Sequence, residues 1–150
     1  MLRRLASGER DLAAEVFGAG LDAHRVRLLS LPGWNRAFVA GGRLVVWPAR
    51  TVRPDFGAPD VPATLQAVFV HELTHVWQAQ NGTFLPWAKI RAGDGPATYA
   101  YDLEAGVPFA DLNIEQQAMV VEHTFLARRG FTAPYAWAAY EHPGEPWRRA

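Results

Sequence analysis

The segment His71-Glu72-Leu73-Thr74-His75 sets two imidazoles and a carboxylate at helical spacing. On a helix, positions four apart lie on one face one turn apart, so both imidazoles can reach one tetrahedral Zn²⁺. Glu72 is rotated by about 100° from His71. Its carboxylate can therefore reach past the ligands and act as general base on a metal-activated water. The chemistry of such a set is hydrolysis: the metal lowers the pKa of water to about 7, and Glu72 takes the proton. With five His and eight Glu in 150 residues, the pattern arises by chance in roughly one such chain in a hundred.

A catalytic zinc takes three protein ligands and leaves a position for water. Candidates for the third are His24, Asp102, Glu104, Glu115, Glu122, His123 and His142. Glu115 stands in the first turn of a second predicted helix, where packing against the motif helix sets it opposite the histidines. Glu115, Met119 and Glu122 fall at i, i+4 and i+7, on one face beside an apolar stripe. Carboxylates on such a face ask for a partner, because buried charge is costly unless paired or metal-bound. Glu115 is the expected ligand and Glu122 the second choice. The plainer role for Glu115 is to favour the positive end of its helix dipole.

Other residues invite a role and also have a plainer one. Gln78 is suited to orienting a ligand imidazole, or to solvent. Trp77 and Trp87 flank the motif helix and could line a groove, although large aromatics more often fill cores. Tyr99, Tyr101, Tyr135 and His123 could each stabilise an oxyanion, and the sequence does not choose among them. His24 and His142 sit in loop-like contexts that favour the surface.

The elements that must position these groups follow from periodicity and punctuation. Ser7 to Phe17 reads as a short helix ended by Gly18 or Gly20. Val26–Leu29 reads as a strand, and residues 36–40 and 43–47 form a hairpin about Gly41-Gly42, with Pro48 stopping the second strand. Residues 53–62 are loop. From Pro62 to about Gln80, Leu65, Val68, Phe69, Leu73, Val76 and Trp77 recur at helical spacing, and Asn81-Gly82 ends the run. Residues 83–110 read as loop, and Asp111-Leu112-Asn113 opens a second strong helix to about Arg129. Its stripe is Ile114, Ala118, Val121 and Phe125, and a short last helix covers Pro134 to Tyr140. The expected fold is α+β: a small antiparallel sheet packed with a metal-binding helix and a second helix carrying the third ligand.

Length and composition bound the rest. One domain, residues 1–150, is expected from 150 residues with 49% hydrophobic and 20% charged. Fifteen basic and fifteen acidic residues cancel, which argues against a nucleic-acid partner held by a broad basic field. Only Lys89 among the basic residues is lysine. With no cysteine, disulfides and thiolate ligands are excluded, so any metal site is built from His and carboxylates. No apolar run approaches the ~20 residues of a membrane span, so no membrane partner is expected. The first ten residues have no signal-peptide core. A cytoplasmic location is the expectation, with signal-independent export left open.

The stretch His71-Glu-Leu-Thr-His-Val-Trp-Gln78 resembles the metal helix of a bacterial family of metallopeptidase-like domains associated with extracellular contractile injection systems. Arg10-Asp-Leu-Ala-Ala-Glu-Val-Phe-Gly18 and Leu21-Asp-Ala-His-Arg-Val-Arg27 resemble its opening segment. Tyr99-Ala-Tyr-Asp-Leu-Glu-Ala-Gly106 with Phe109-Ala-Asp-Leu-Asn-Ile-Glu-Gln-Gln-Ala118 resembles a subgroup related to type VI secretion spike proteins. The resemblance spans most of residues 7–129. It implies a zincin-like fold with Glu115 as third ligand; His123 departs from the acidic residue expected there.

The leading expectation is a zinc-dependent hydrolase, a metallopeptidase acting on a peptide or protein substrate. His71, His75 and Glu115 hold Zn²⁺, and Glu72 is the base. The alternative is a non-catalytic zinc-site adaptor or effector domain that works with secretion or injection components. A structural zinc site closes its fourth position with a protein ligand and has no use for Glu72.

Overall fold

The computed structural model describes residues 1–141 and 144–149. Its first half is strand-rich: β1 (Leu2–Arg4), α1 (Ser7–Phe17), β2 (Arg27–Leu31), β3 (Phe38–Ala40) and β4 (Leu44–Pro48). The second half is helical: α2 (Ala63–Gln80), α3 (Leu85–Ala92), α4 (Ile114–Arg128) and α5 (Trp137–Glu141). The α+β expectation holds.

The four strands lie in the order β1-β2-β4-β3. β1 pairs antiparallel with β2, β2 parallel with β4, and β4 antiparallel with β3. The sheet is thus mixed, not antiparallel as expected. Residues 32–37 carry the chain from β2 to the outer edge, and the hairpin then brings β4 back into the gap. The run Leu44-Val45-Val46-Trp47 suits that interior place, since a strand covered on both faces needs apolar residues without alternation. Val45, Val46 and Trp47 are all buried. Ala40 faces Leu44 in the ladder, so the turn has three residues, not two, with Gly41 at φ +63°.

α2 is the centre of the molecule. Phe69 stacks on Phe56 at 4.7 Å, and Phe56 lies 4.5 Å from Trp47, which fixes the helix against the sheet. Asn113 caps α4: its side chain accepts from the Gln116 N–H while the Gln116 side chain accepts from the Asn113 N–H. That reciprocal pair fixes where the helix starts and so where Glu115 falls. The expected stripe Ile114, Ala118, Val121 and Phe125 is buried.

Two elements were not expected. β1 is short and holds two arginines, and Arg3 is secured by the buried carboxylate of Glu9 at 2.6–2.7 Å. α3 occupies part of the stretch read as loop, with Pro86 in its first turn and Gly93 after its end. That Pro-then-Gly placement is itself a helix signal. α5 is shorter than expected.

Candidate metal centre

His71 and His75 project from one face of α2 toward the first turn of α4. Their rings stand nearly edge to face with centroids 5.1 Å apart. The Nε2 atoms of both lie 3.2 Å from the same oxygen, Oε2 of Glu115. The ligand atoms of His71, His75 and Glu115 all fall within 4.8 Å of one another, and all three residues are buried. In a tetrahedral zinc site with bonds of about 2.0–2.1 Å, neighbouring donor atoms stand about 3.3 Å apart. The two 3.2 Å edges match that spacing. The donor set, two imidazoles and a carboxylate, also suits Zn²⁺, so these residues fit the ion.

The remaining ring nitrogens are secured. His71 Nδ1 lies 2.9 Å from Glu122 Oε2, and a carboxylate can only accept, so His71 donates. Gln78 gives its amide N–H groups to the Ile114 carbonyl and Gln117 Oε1, both at 2.9 Å. Its Oε1 is left to accept from His75 Nδ1 at 2.9 Å. Both histidines thereby turn Nε2 toward Glu115. Glu122, the second-choice ligand, sits behind His71 rather than in the cluster, and Gln78 takes the orienting role instead of solvent.

The electrostatics follow from this packing. Burial pushes the His71 imidazolium down, but Glu115 and Glu122 outweigh it and raise its pKa to about 9. Burial pushes Glu115 up, while His71, His75 and Lys89 pull it well below the usual carboxylate range. Burial dominates at Glu72 and raises its pKa against the pull of the two histidines. Glu72 Oε2 is buried with no hydrogen-bond partner among the described residues.

Glu72, His71, His75 and Glu115 form the floor of a cleft of about 550 Å³. One wall is Trp34, Arg36, Ala37 and β3; the other is Leu85, Pro86 and Lys89 of α3. Among the described residues β3 is an edge strand, with β4 as its one strand partner. The aromatics on the wall are Trp34 and Phe38, with ring centroids 5.6 Å apart. Trp77 instead packs against Phe109 at 6.2 Å, and Trp87 is 60% exposed, so neither lines the groove.

The other candidates lie elsewhere. His24 is exposed in a short 3-10 turn, and Asp102 and Glu104 are exposed in a turn of their own. His123 meets the Tyr101 hydroxyl at 2.6 Å, which also meets Tyr140 at 2.7 Å. Tyr135 packs against the same cluster, outside the residues that line the cleft. The Tyr99 hydroxyl accepts from Arg36. His142 lies outside the described residues. Sequence reasoning missed Lys89 and Arg36; the first had a signal, as the chain's one lysine.

No family model matches the chain. It is 33% identical over 141 residues to the type VI secretion system spike protein VgrG2b of Pseudomonas aeruginosa, a match over 86% of this chain. The chain spans 13% of the length of that relative. In structure it is similar to the effector domain of Pseudomonas aeruginosa VgrG2b, with a TM-score of 0.74 and 29% identity. That likeness covers 98% of this chain and 84% of the other. No helix among the described residues is long and apolar enough to cross a membrane. By sequence and by fold, the chain is homologous to the effector domain of a type VI secretion spike protein.

Proposed function

We propose that the chain is an effector domain carried by a type VI secretion spike, and that it hydrolyses amide bonds as a zincin-like metallopeptidase. Homology to the VgrG2b effector domain supports the first part, including export without a cleaved signal and association with secretion components. The observation that carries the second is the convergence of His71, His75 and Glu115, with Glu72 unpartnered beside them. Among the described residues that cluster has three donors and no fourth, which favours an open catalytic site over a closed structural one.

His71, His75 and Glu115 would hold Zn²⁺, which supplies a Lewis acid and makes a water molecule more acidic. The Glu72 carboxylate, which lines the cleft, accepts the proton of the attacking water. Burial raises the Glu72 pKa above the ordinary carboxylate value, the direction that strengthens a general base. The same carboxyl then returns the proton to the leaving amine nitrogen. Glu122 and Gln78 keep the two imidazoles turned inward. β3 offers an extended edge beside the floor, suited to a peptide in strand conformation.

The test separates binding from chemistry. Glu72→Gln should retain about one zinc per chain by elemental mass spectrometry and lose about 10²–10⁴-fold in peptide hydrolysis. Full hydrolysis by zinc-loaded Glu72→Gln defeats the assignment of the base. Absence of zinc from the purified wild-type chain after loading defeats the metal reading.

A further inference from the structure

Glu115 has two carboxylate oxygens with different company. Oε2 faces the two imidazoles at 3.2 Å each, while Oε1 lies 2.8 Å from the ammonium of Lys89. The Glu115 side chain is only 5% exposed and that of Lys89 39%, so solvent reaches the contact from the ammonium side alone and screens it less than a fully exposed ion pair. The other neighbours of the ammonium are weaker: Asp94, at 3.6 Å and itself 85% exposed, and the Tyr99 ring at 5.7 Å. We propose that Lys89 is a positioning residue of the metal centre, holding Glu115 so that a single oxygen serves the metal. This rests on the reading of His71, His75 and Glu115 as metal ligands.

The residue type fits that task. An ammonium is a compact charge that can hold one oxygen, whereas a guanidinium is a planar fork that engages both oxygens of a carboxylate. A fork at this place would cover Oε2 and compete with the metal. Of the fifteen basic residues, Lys89 alone is not arginine. It stands where a fork would block a ligand atom. The support beneath it also fits: α3 packs Leu85 inward and leaves Trp87 and Ile90 exposed, and of its two charged side chains Lys89 lines the cleft while Arg91 does not. Without Lys89, Oε1 is free to turn inward and take the position an open site keeps for the reaction.

Cobalt(II) substitution tests this, because the visible absorption of the ion reports coordination number without any substrate. The wild-type chain should take up one Co²⁺ and give the strong visible bands of four-coordination. Lys89→Met should still bind Co²⁺ but lose most of that intensity as Glu115 supplies a second oxygen. Lys89→Arg should bind Co²⁺ about tenfold or more weakly, the usual scale for disturbing a residue that orients a ligand. A Lys89→Met spectrum equal to wild type overturns the proposal, and so does a Lys89→Arg variant with wild-type affinity and spectrum. The wild-type chain gives a second reading that does not depend on variants folding. Protein grown with ¹³Cε-lysine carries one lysine signal, and that signal should shift on zinc loading. A signal that stays put while zinc binds overturns the role of Lys89 alone; failure of the wild type to bind either ion overturns the metal centre itself.

Discussion

His71 lies between two carboxylates, and that placement ties the centre to pH. Its imidazolium is favoured up to about pH 9, well above the value near 6.5 of an unfolded chain. For a raised pKa, the stability it contributes is fully present below 6.5 and is lost as pH rises through about 9. Metal-stripped protein should therefore melt at a progressively lower temperature across that window, and His71→Ala should lack this component. A metal on Nε2 takes the proton's place, so zinc affinity should rise with pH across the same range, by up to about tenfold per unit for one displaced proton. Calorimetric titration in buffers of different ionisation enthalpy counts that proton. The orienting residues can be read separately: Glu122→Gln and Gln78→Ala should each weaken zinc binding or activity by about 10–100-fold. At this scale the two histidines and Glu72 were legible, because one helix fixes their relation. The role of Glu122 was not. It follows from the angle at which α4 crosses α2, which leaves Glu115 on the Nε2 side of His71 and Glu122 on the Nδ1 side.

Elements were legible where one periodicity ran long enough to dominate. α2 begins and ends within about one residue of the expected positions, and α4 starts three residues after Asp111 and ends one before Arg129. The mixed sheet was not legible, because a hairpin looks the same in sequence whether its second strand ends at an edge or inserts into a gap. Nor was the C-terminal tail. Its sequence carries no periodicity that predicts packing, yet Trp147 is buried in the main core. The tail docks on the end of α1: the Arg149 N–H donates to the Phe17 carbonyl at 3.1 Å, and Ala19 N–H donates to Arg149 O at 3.0 Å. Gly18 makes this possible, since its φ is +54° and a Cβ there would meet Arg149 O at 1.8 Å. Trp147→Ala should cost about 3–5 kcal/mol in denaturant titration. The folded fraction should keep its zinc, because the metal cluster draws on α2 and α4 rather than on the tail.

On the scale of the whole molecule, the candidate centre joins two helices that also carry the core. Leu73 and Val76 of α2 and Val121 and Phe125 of α4 belong to one buried cluster, so a metal gripped by both helices reinforces packing that unfolding must break. Zinc bound only to the folded chain stabilises it by mass action, about 2.7 kcal/mol at free zinc a hundredfold above Kd. For a chain of this size that is a rise in Tm of roughly 5–11 °C. Chelation should reverse the rise. The variants then divide by what each residue does. On the proposed ligand set, Glu115→Ala should abolish the zinc-dependent rise. On the same reading, Glu72→Gln should keep the rise in full while the proposed hydrolysis is lost. Thermal scans with and without zinc on these two variants therefore locate the boundary between holding the metal and using it. A Glu72→Gln chain that loses the rise would make Glu72 a ligand, closing the fourth position and leaving the effector without a base. A Glu115→Ala chain that keeps it would put the third ligand elsewhere and detach Lys89 from the centre.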